Sequence, residues 1–182
     1  MSLPTPTEGA DPGLQPAAWP AAPVLAPFNP TAEDAIQQAL AFLQLQGTDS
    51  VLDLGCGDGR FLLAAALAAP GCACRGVEYD PAVHARGLAR LASAQAAGGS
   101  EAEAASRVAL QLGDASSAST QGATVVFVYL VPAGLARVQA ALLQVLLRGG
   151  RVVSNMFRVP GCEAHLRERH MLRGAPLYCY RA

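Results

Sequence analysis

Short β-prone apolar runs alternate along the chain with segments whose apolar side chains recur at helical spacing. The predicted helices cover residues 60–69, 81–96 and 131–147, after a first helix that Thr31 should cap and Gly47 should end. The predicted strands cover residues 51–54, 74–78, 108–112, 124–129 and 151–155, and a C-terminal hairpin covers 165–172 and 177–181. Strands that alternate with helices are typical of a parallel sheet between two helical layers. We therefore expect a three-layer α/β fold with seven strands, parallel except for the antiparallel hairpin.

Two segments lack this periodicity. Residues 1–27 contain seven prolines and many alanines, and proline restricts its own backbone and that of the residue before it. The sequence therefore predicts an extended, flexible N-terminal arm over 1–27 and a folded domain over 28–182. Residues 98–106 are polar and low in complexity, which is typical of a mobile loop.

The overall charge excludes some classes of partner. Hydrophobic residues make up 52% of the chain, which excludes a wholly disordered protein, and the formal net charge is -1. Neither a nucleic-acid nor a membrane partner is expected from this charge, and no apolar run reaches the roughly 18 residues of a membrane span. All 13 basic residues are arginines, none precedes Arg60, and many lie near the C-terminus. These late arginines form either an ordinary solvated face or a basic rim near a substrate entrance.

The five cysteines predict neither disulfides nor a metal site. The chain has no Cys-x-x-Cys pair, and we expect Cys72 and Cys74 to lie on opposite faces of a strand, where they could not bind one metal. An odd number of cysteines is typical of a reducing compartment. The N-terminus lacks a cationic start before an apolar core, so neither a secretory signal nor a mitochondrial transit peptide is predicted. We expect a cytoplasmic protein.

A glycine-rich loop carries the most specific chemistry. Residues 53–59 read Asp-Leu-Gly-Cys-Gly-Asp-Gly between a predicted strand and a predicted helix. Glycines at alternate positions allow a sharp turn and the close approach of a ligand. Glu78 ends the next strand about 20 residues further on, the spacing of a carboxylate that binds ribose hydroxyls. The alternative is a structural turn with an unrelated glutamate.

The charges of this loop indicate a cationic ligand. The loop lacks both the G-x-G-x-x-G spacing of dinucleotide sites and the Gly-Lys-Ser/Thr ending of a P-loop. Asp53 and Asp58 would repel a pyrophosphate but would suit a ligand that carries an ammonium or a sulfonium.

Three motifs in order make the chain resemble class I S-adenosylmethionine-dependent methyltransferases over about residues 30–182. They are residues 51–59, residues 76–81 (Gly-Val-Glu-Tyr-Asp-Pro) and residues 112–115 (Leu-Gly-Asp-Ala). The resemblance implies a Rossmann-like methyltransferase fold, S-adenosylmethionine as the cofactor and S-adenosylhomocysteine as the product.

The same resemblance implies roles for individual residues. Asp53 and the glycines would lie by the methionine part of the cofactor, and Glu78 would hold the ribose. Tyr79 would flank the adenine, and Asp114 would accept from its exocyclic amine. The candidate cofactor-binding residues are Asp53, Gly55, Cys56, Gly57, Gly59, Glu78, Tyr79, Asp114, Ala115 and Tyr129. The candidate catalytic residues are Tyr129 and Asn155, which end the fourth and fifth strands at the edge where open α/β sheets place ligands.

The end of the fourth strand indicates the acceptor. Many base and amine methyltransferases carry an Asn/Asp-Pro-Pro-aromatic motif there, whereas residues 129–132 read Tyr-Leu-Val-Pro. With residues 29–31, 58–60 and 151–154, this motif resembles the small protein-lysine methyltransferases of the ATP synthase c subunit and the adenine nucleotide translocase. The resemblance implies a protein lysine as the acceptor. An RNA or small-molecule acceptor, or a catalytically inert cofactor-binding partner subunit, remain as alternatives.

Overall fold

Seven strands form one sheet in the computed structural model, which describes residues 28–172 and 175–182. The strands are β1 (Ser50–Leu54), β2 (Ala73–Glu78), β3 (Val108–Leu112), β4 (Val125–Val128), β5 (Arg151–Asn155), β6 (Leu166–Leu172) and β7 (Ala175–Arg181). Their spatial order is β3-β2-β1-β4-β5-β7-β6, with β1 to β5 parallel and β7 antiparallel to both of its neighbours. The predicted mostly parallel sheet with its antiparallel hairpin is confirmed. The arm predicted over 1–27 lies outside the described residues.

Helices cover both faces of the sheet. They are α1 (Glu33–Leu43), α2 (Arg60–Ala68), α3 (Pro81–Ala97), α4 (Gly99–Ala105) and α5 (Pro132–Leu147), with short 3-10 turns at Ala115–Ser117 and Glu163–His165. One apolar core includes Ile36, Phe61 and Leu91 from α1, α2 and α3. The other includes Leu135 and Leu142 from α5. Between them β4 is buried along its whole length, as expected of a strand covered on both faces. None of the helices in 28–172 and 175–182 is long and apolar enough to cross a membrane.

The prediction of a mobile loop over 98–106 is wrong for most of these residues. Residues 99–105 form α4, and Ala104 and Ala105 at its end are buried. Alanine has the highest helix propensity, and α4 packs on α2 and α3. This packing buries apolar surface, which the polar composition of the segment alone does not predict.

The predicted ends of the first helix also need correction. Its N-cap is Ala32 rather than Thr31, without a side-chain hydrogen bond. It ends before Gly47 because Gln44 takes a left-handed conformation with φ 45° and donates its backbone N–H to Leu40 O. That conformation closes the last turn without a glycine.

The expectation that Cys72 and Cys74 lie on opposite faces is wrong. Their Sγ atoms are 3.6 Å apart, because residues separated by one position share a face of an extended chain. Burial raises the pKa of the Cys74 thiol, and the neighbouring Cys72 raises it further. All five cysteines are buried free thiols. In 28–172 and 175–182, no group of three or more His, Cys, Asp or Glu side chains could hold a metal ion.

Candidate active site

A cavity of about 440 Å³ opens at the carboxyl ends of the central strands. It lies where β1 has β2 on one side and β4 on the other, the point of an open α/β sheet at which the strand order reverses and ligands bind. Its volume is in the range of small-molecule and cofactor sites. The residues that line it are Phe28, Asn29, Pro30, Thr31, Asp53, Gly55, Cys56, Gly57, Asp58, Arg60, Phe61, Glu78, Tyr79, Asp80, Pro81, Ala115, Phe127, Tyr129, Leu130, Val131, Met156 and Phe157.

The glycine loop forms the floor of this cavity and depends on its glycines. Gly55, Gly57 and Gly59 have φ values of 84°, 57° and 72°, which side chains with a Cβ rarely adopt. A Cβ on Gly57 would lie 2.9 Å from the ring of Phe28. The backbone N–H groups of Gly55 and Cys56 both donate to Val77 O, which ties the loop to β2.

Glu78 connects the loop to the start of α3. Its Oε2 accepts from the Gly57 N–H at 2.8 Å and its Oε1 accepts from the Asp80 N–H at 2.9 Å. Asp80 in turn caps α3 by accepting from Ala82 N and Val83 N. A carboxylate has about four lone-pair sites, so each Glu78 oxygen can still accept a hydroxyl from a ligand.

Asp53 is a buried carboxylate with an unsatisfied oxygen. The residue is 3% exposed, and its Oδ1 has no hydrogen-bond partner among the described residues. Burial raises the pKa of this carboxyl well above its ordinary value, and the negative charges of Glu78 and Asp58 raise it further. Because it lines the cavity, a cationic ligand bound there would supply the missing partner.

Asp58 lines the same cavity, but its charge is already compensated. Its Oδ2 lies 2.7 Å from both Arg60 Nη2 and Arg90 Nη2. Burial alone would raise the pKa of Asp58, but hydrogen bonds and charges from the two arginines outweigh it and lower the pKa to about 2. The cationic preference inferred from the sequence therefore depends mainly on Asp53.

Replacing Asp58 with asparagine should lower the free energy of unfolding by about 1.5–3 kcal/mol near neutral pH, as expected for the loss of charge-assisted hydrogen bonds. The folded-state pKa of about 2 lies below the ordinary 3.8. The ionised carboxylate therefore stabilises the fold fully above the ordinary value, and this stabilisation is lost as the pH falls toward 2. Urea denaturation at several acidic pH values should show the difference between wild type and variant shrinking. The control is Glu103→Gln at an exposed position, and a difference that stays constant on acidification would contradict the assignment.

Three elements meet around Tyr129 at the mouth of the cavity. Asn29 Nδ2, from the segment before α1, donates to the Tyr129 hydroxyl at 2.8 Å. That hydroxyl lies 3.8 Å from Met156 Sδ, just after β5. Met156 has φ 72°, a conformation that costs of order 1–3 kcal/mol for such a residue and is found most often at functional sites. Its backbone N–H donates to Pro176 O at 2.7 Å.

Phe28, Asn29 and Met156 line the cavity but are absent from the site residues predicted from the sequence. Phe28 lies at the predicted boundary of the flexible arm, and Met156 is one position beyond the predicted end of the fifth strand. The Asn-Pro-Thr sequence at 29–31 was the available signal for the first segment, but only tertiary packing brings it to Tyr129.

Three predicted site residues do not line the cavity: Gly59, Asp114 and Asn155. Gly59 is the N-cap of α2, and Asn155 is buried at the end of β5. Asp114 Oδ1 accepts from both the N–H and the hydroxyl of Ser116 at 2.8 Å, and its Oδ2 lies 3.4 Å from Arg137 Nη2. Roles for Asp114 at the adenine and for Asn155 in catalysis stay predictions.

The family model of the ANTKMT methyltransferase domain matches residues 53–166, which include the glycine loop, Glu78 and Tyr129. No curated protein matches the chain.

Solved methyltransferases share the fold. An RNA methyltransferase from Salinibacter ruber in complex with S-adenosyl-L-homocysteine is 28% identical, with a TM-score of 0.70 over 84% of this chain and 92% of that chain. Precorrin-6y C5,15-methyltransferase from Geobacter metallireducens is 17% identical, with a TM-score of 0.66 over 84% and 90%. A SAM-dependent methyltransferase from Thiobacillus denitrificans in complex with S-adenosyl-L-homocysteine is 22% identical, with a TM-score of 0.54 over 75% and 54%.

Proposed function

Because the chain belongs to the ANTKMT methyltransferase domain family and uses S-adenosylmethionine, we propose that it methylates the side-chain amine of a lysine on another protein. The enzyme class and the cofactor, both predicted from the three sequence motifs, are confirmed by the family match and by the methyltransferase fold. The lysine acceptor is the proposed part. The observation that carries it is the mostly apolar, uncharged wall around Tyr129, formed by Leu130, Val131, Met156 and Phe157.

The residues of the cavity fit S-adenosylmethionine. Glu78 retains acceptor sites for ribose hydroxyls. The unsatisfied Asp53 Oδ1 suits the positively charged methionine end. When bound, the cofactor supplies an electrophilic methyl group on its sulfonium.

The wall near Tyr129 suits an amine nucleophile. Leu130, Val131, Met156 and Phe157 line this part of the cavity next to the Asn29 amide that is bonded to Tyr129, and none of these four carries an amide or a carboxylate. Transfer from water to an apolar site disfavours the ammonium form and lowers the pKa of the amine. The proton can leave to water before the amine enters, and the neutral amine is then the nucleophile.

The Tyr129 hydroxyl can orient this amine. It already accepts from Asn29 and faces the weakly accepting thioether of Met156. A phenolic oxygen has a second lone pair, which can accept one N–H of the amine and so direct the amine lone pair toward the methyl group. Correct orientation of two reactants accounts for a large part of enzymatic rate enhancement.

Tyr129→Phe should lower kcat by about 3–10-fold, which corresponds to the net free energy of one hydrogen bond. The affinity for S-adenosylhomocysteine should stay nearly unchanged. Steady-state kinetics and calorimetry separate the two quantities. Asn29→Ala is the matched control, because it removes the same hydrogen bond but keeps the phenol, so its kcat should fall less. An unchanged kcat in Tyr129→Phe would exclude the hydroxyl from the reaction.

RNA is the second candidate acceptor, because the Salinibacter ruber neighbour at 28% identity is named as an RNA methyltransferase. The formal net charge of -1 and the uncharged wall at Tyr129 favour a protein acceptor over a polyanion.

The acceptor class can be tested with a lysate that lacks the enzyme, incubated with the pure protein and methyl-labelled S-adenosylmethionine. The chain contains no lysine, so lysine-linked label must lie on another molecule. We expect macromolecular label that protease releases and ribonuclease leaves intact, and none with Glu78→Ala. Label that only ribonuclease destroys would support RNA, and label confined to metabolites would support a small-molecule acceptor.

A further inference from the structure

Two arginines cover one buried tyrosine ring beside the active site. Arg158 Cζ lies 5.5 Å from the centroid of the Tyr178 ring, and Arg169 Cζ lies 5.9 Å from it. Both arginines are exposed, whereas Tyr178 is only 8% exposed. Cation–π contacts with the ring restrict the positions of both guanidinium groups, and the guanidinium groups remain exposed to solvent.

Neither guanidinium has a carboxylate partner within 28–172 and 175–182. Other arginines do have one: Arg60 and Arg90 pair with Asp58, and Arg151 pairs with Asp49. Arg169 Nη2 lies 3.3 Å from the Met171 thioether, while the adjacent Glu168 is paired with His170. Two unpaired like charges on one ring repel each other, and an anion bound to both would relieve this repulsion.

The pair is located at the edge of the sheet where the cavity opens. Arg158 directly follows Phe157, which lines the cavity. Tyr178 is the register partner of Ser154 near the carboxyl end of β5, and Arg169 is the register partner of Tyr178. A polypeptide whose lysine enters beside Phe157 would therefore pass close to both guanidinium groups.

We propose that Arg158 and Arg169 bind acidic side chains that flank the acceptor lysine. This inference rests on the proposed lysine acceptor and adds the charge of the sequence around it. A guanidinium group presents a planar fork of donors that matches a carboxylate in two parallel hydrogen bonds. RNA fits less well at this pair, because the arginines cover the Tyr178 ring, which is 8% exposed and so offers a base little surface to stack on.

Binding of short synthetic peptides tests the proposal without requiring turnover. One fluorescent peptide carries a single lysine flanked by glutamates, and the other carries glutamines instead. In the presence of S-adenosylhomocysteine and at moderate salt, we expect the glutamate peptide to bind about tenfold more tightly than the glutamine peptide. The reason is that only its carboxylates form charge-assisted hydrogen bonds with the two arginines. The double variant R158Q/R169Q should lose this preference while its melting temperature and S-adenosylhomocysteine affinity stay unchanged.

Arg181→Gln is the matched control. It also removes one arginine charge, but from the far end of β7, where Arg181 is the register partner of Arg151 at the start of β5. Equal affinity for the two peptides, or an equal loss in the control, would overturn the proposal. Binding of an RNA oligonucleotide that depends on Arg158 and Arg169, without any preference for the glutamate peptide, would also overturn it. Acidic-peptide binding without methylation would support the docking site and count against the lysine acceptor.

Discussion

Replacing Glu78 with alanine should weaken binding of S-adenosylhomocysteine by about 100-fold or more. Two ribose hydroxyls would lose a charged acceptor, and hydrogen bonds to charged groups contribute about 1.5–3 kcal/mol each. The effect extends beyond the ribose, because the Gly57 and Asp80 N–H groups also lose their acceptor. Both the glycine loop and the start of α3 would then be less well ordered before binding. Isothermal titration calorimetry measures the affinity directly.

Glu78→Gln separates these contributions. It keeps the size of the side chain and one acceptor oxygen, but its amide nitrogen would face a backbone N–H donor. We expect an affinity between those of wild type and Glu78→Ala. Wild-type affinity in Glu78→Ala would remove Glu78 from the cofactor site.

Asp53→Asn should have opposite effects on stability and binding. The pKa of Asp53 is raised above its ordinary 3.8, so the folded state disfavours the ionised carboxylate that the unfolded chain carries near neutral pH. Removing this charge should therefore raise the melting temperature of the ligand-free protein. It should also weaken binding of S-adenosylmethionine by about 10–100-fold, because a charge-assisted contact is worth about 1.5–3 kcal/mol.

Adenosine is the matched ligand control for Asp53→Asn, since it lacks the charged methionine part. Its affinity should be the same in wild type and variant, whereas the affinity for S-adenosylmethionine falls. Thermal denaturation without ligand supplies the stability comparison. A variant that is less stable and binds both ligands equally poorly would show that Asp53 has a structural role instead of a charge role.

Local sequence signals were sufficient for the sheet, and they indicated part of the residues that line the cavity. The buried runs that became β1, β4 and β5 lie between turns, and the alternating glycines and Glu78 can be recognised because each follows or ends a predicted strand. The boundaries differ by a residue or two, as at β4, where the strand covers Val125–Val128 against the predicted 124–129.

The remaining part of the site depends on contacts distant in sequence. Asn29 and Tyr129 are separated by one hundred positions, and no periodicity connects them. Asp114 follows the strand predicted over 108–112 and observed there as β3, but the sequence did not reveal that Ser116 and Arg137 would contact its oxygens. The helix at 99–105 packs two buried alanines against neighbouring helices. The pattern of polar residues along the chain does not predict this packing.

The chemical identity of the methylated residue is the most direct test of the central claim. Protein from the labelled lysate is hydrolysed in acid, and the amino acids are separated by chromatography with methylated standards. The proposed function predicts label in mono-, di- or trimethyllysine, with loss of that label when Glu78→Ala replaces the wild type. Label in methylarginine or methylhistidine, or no label in protein while nucleosides carry it, would contradict the lysine acceptor.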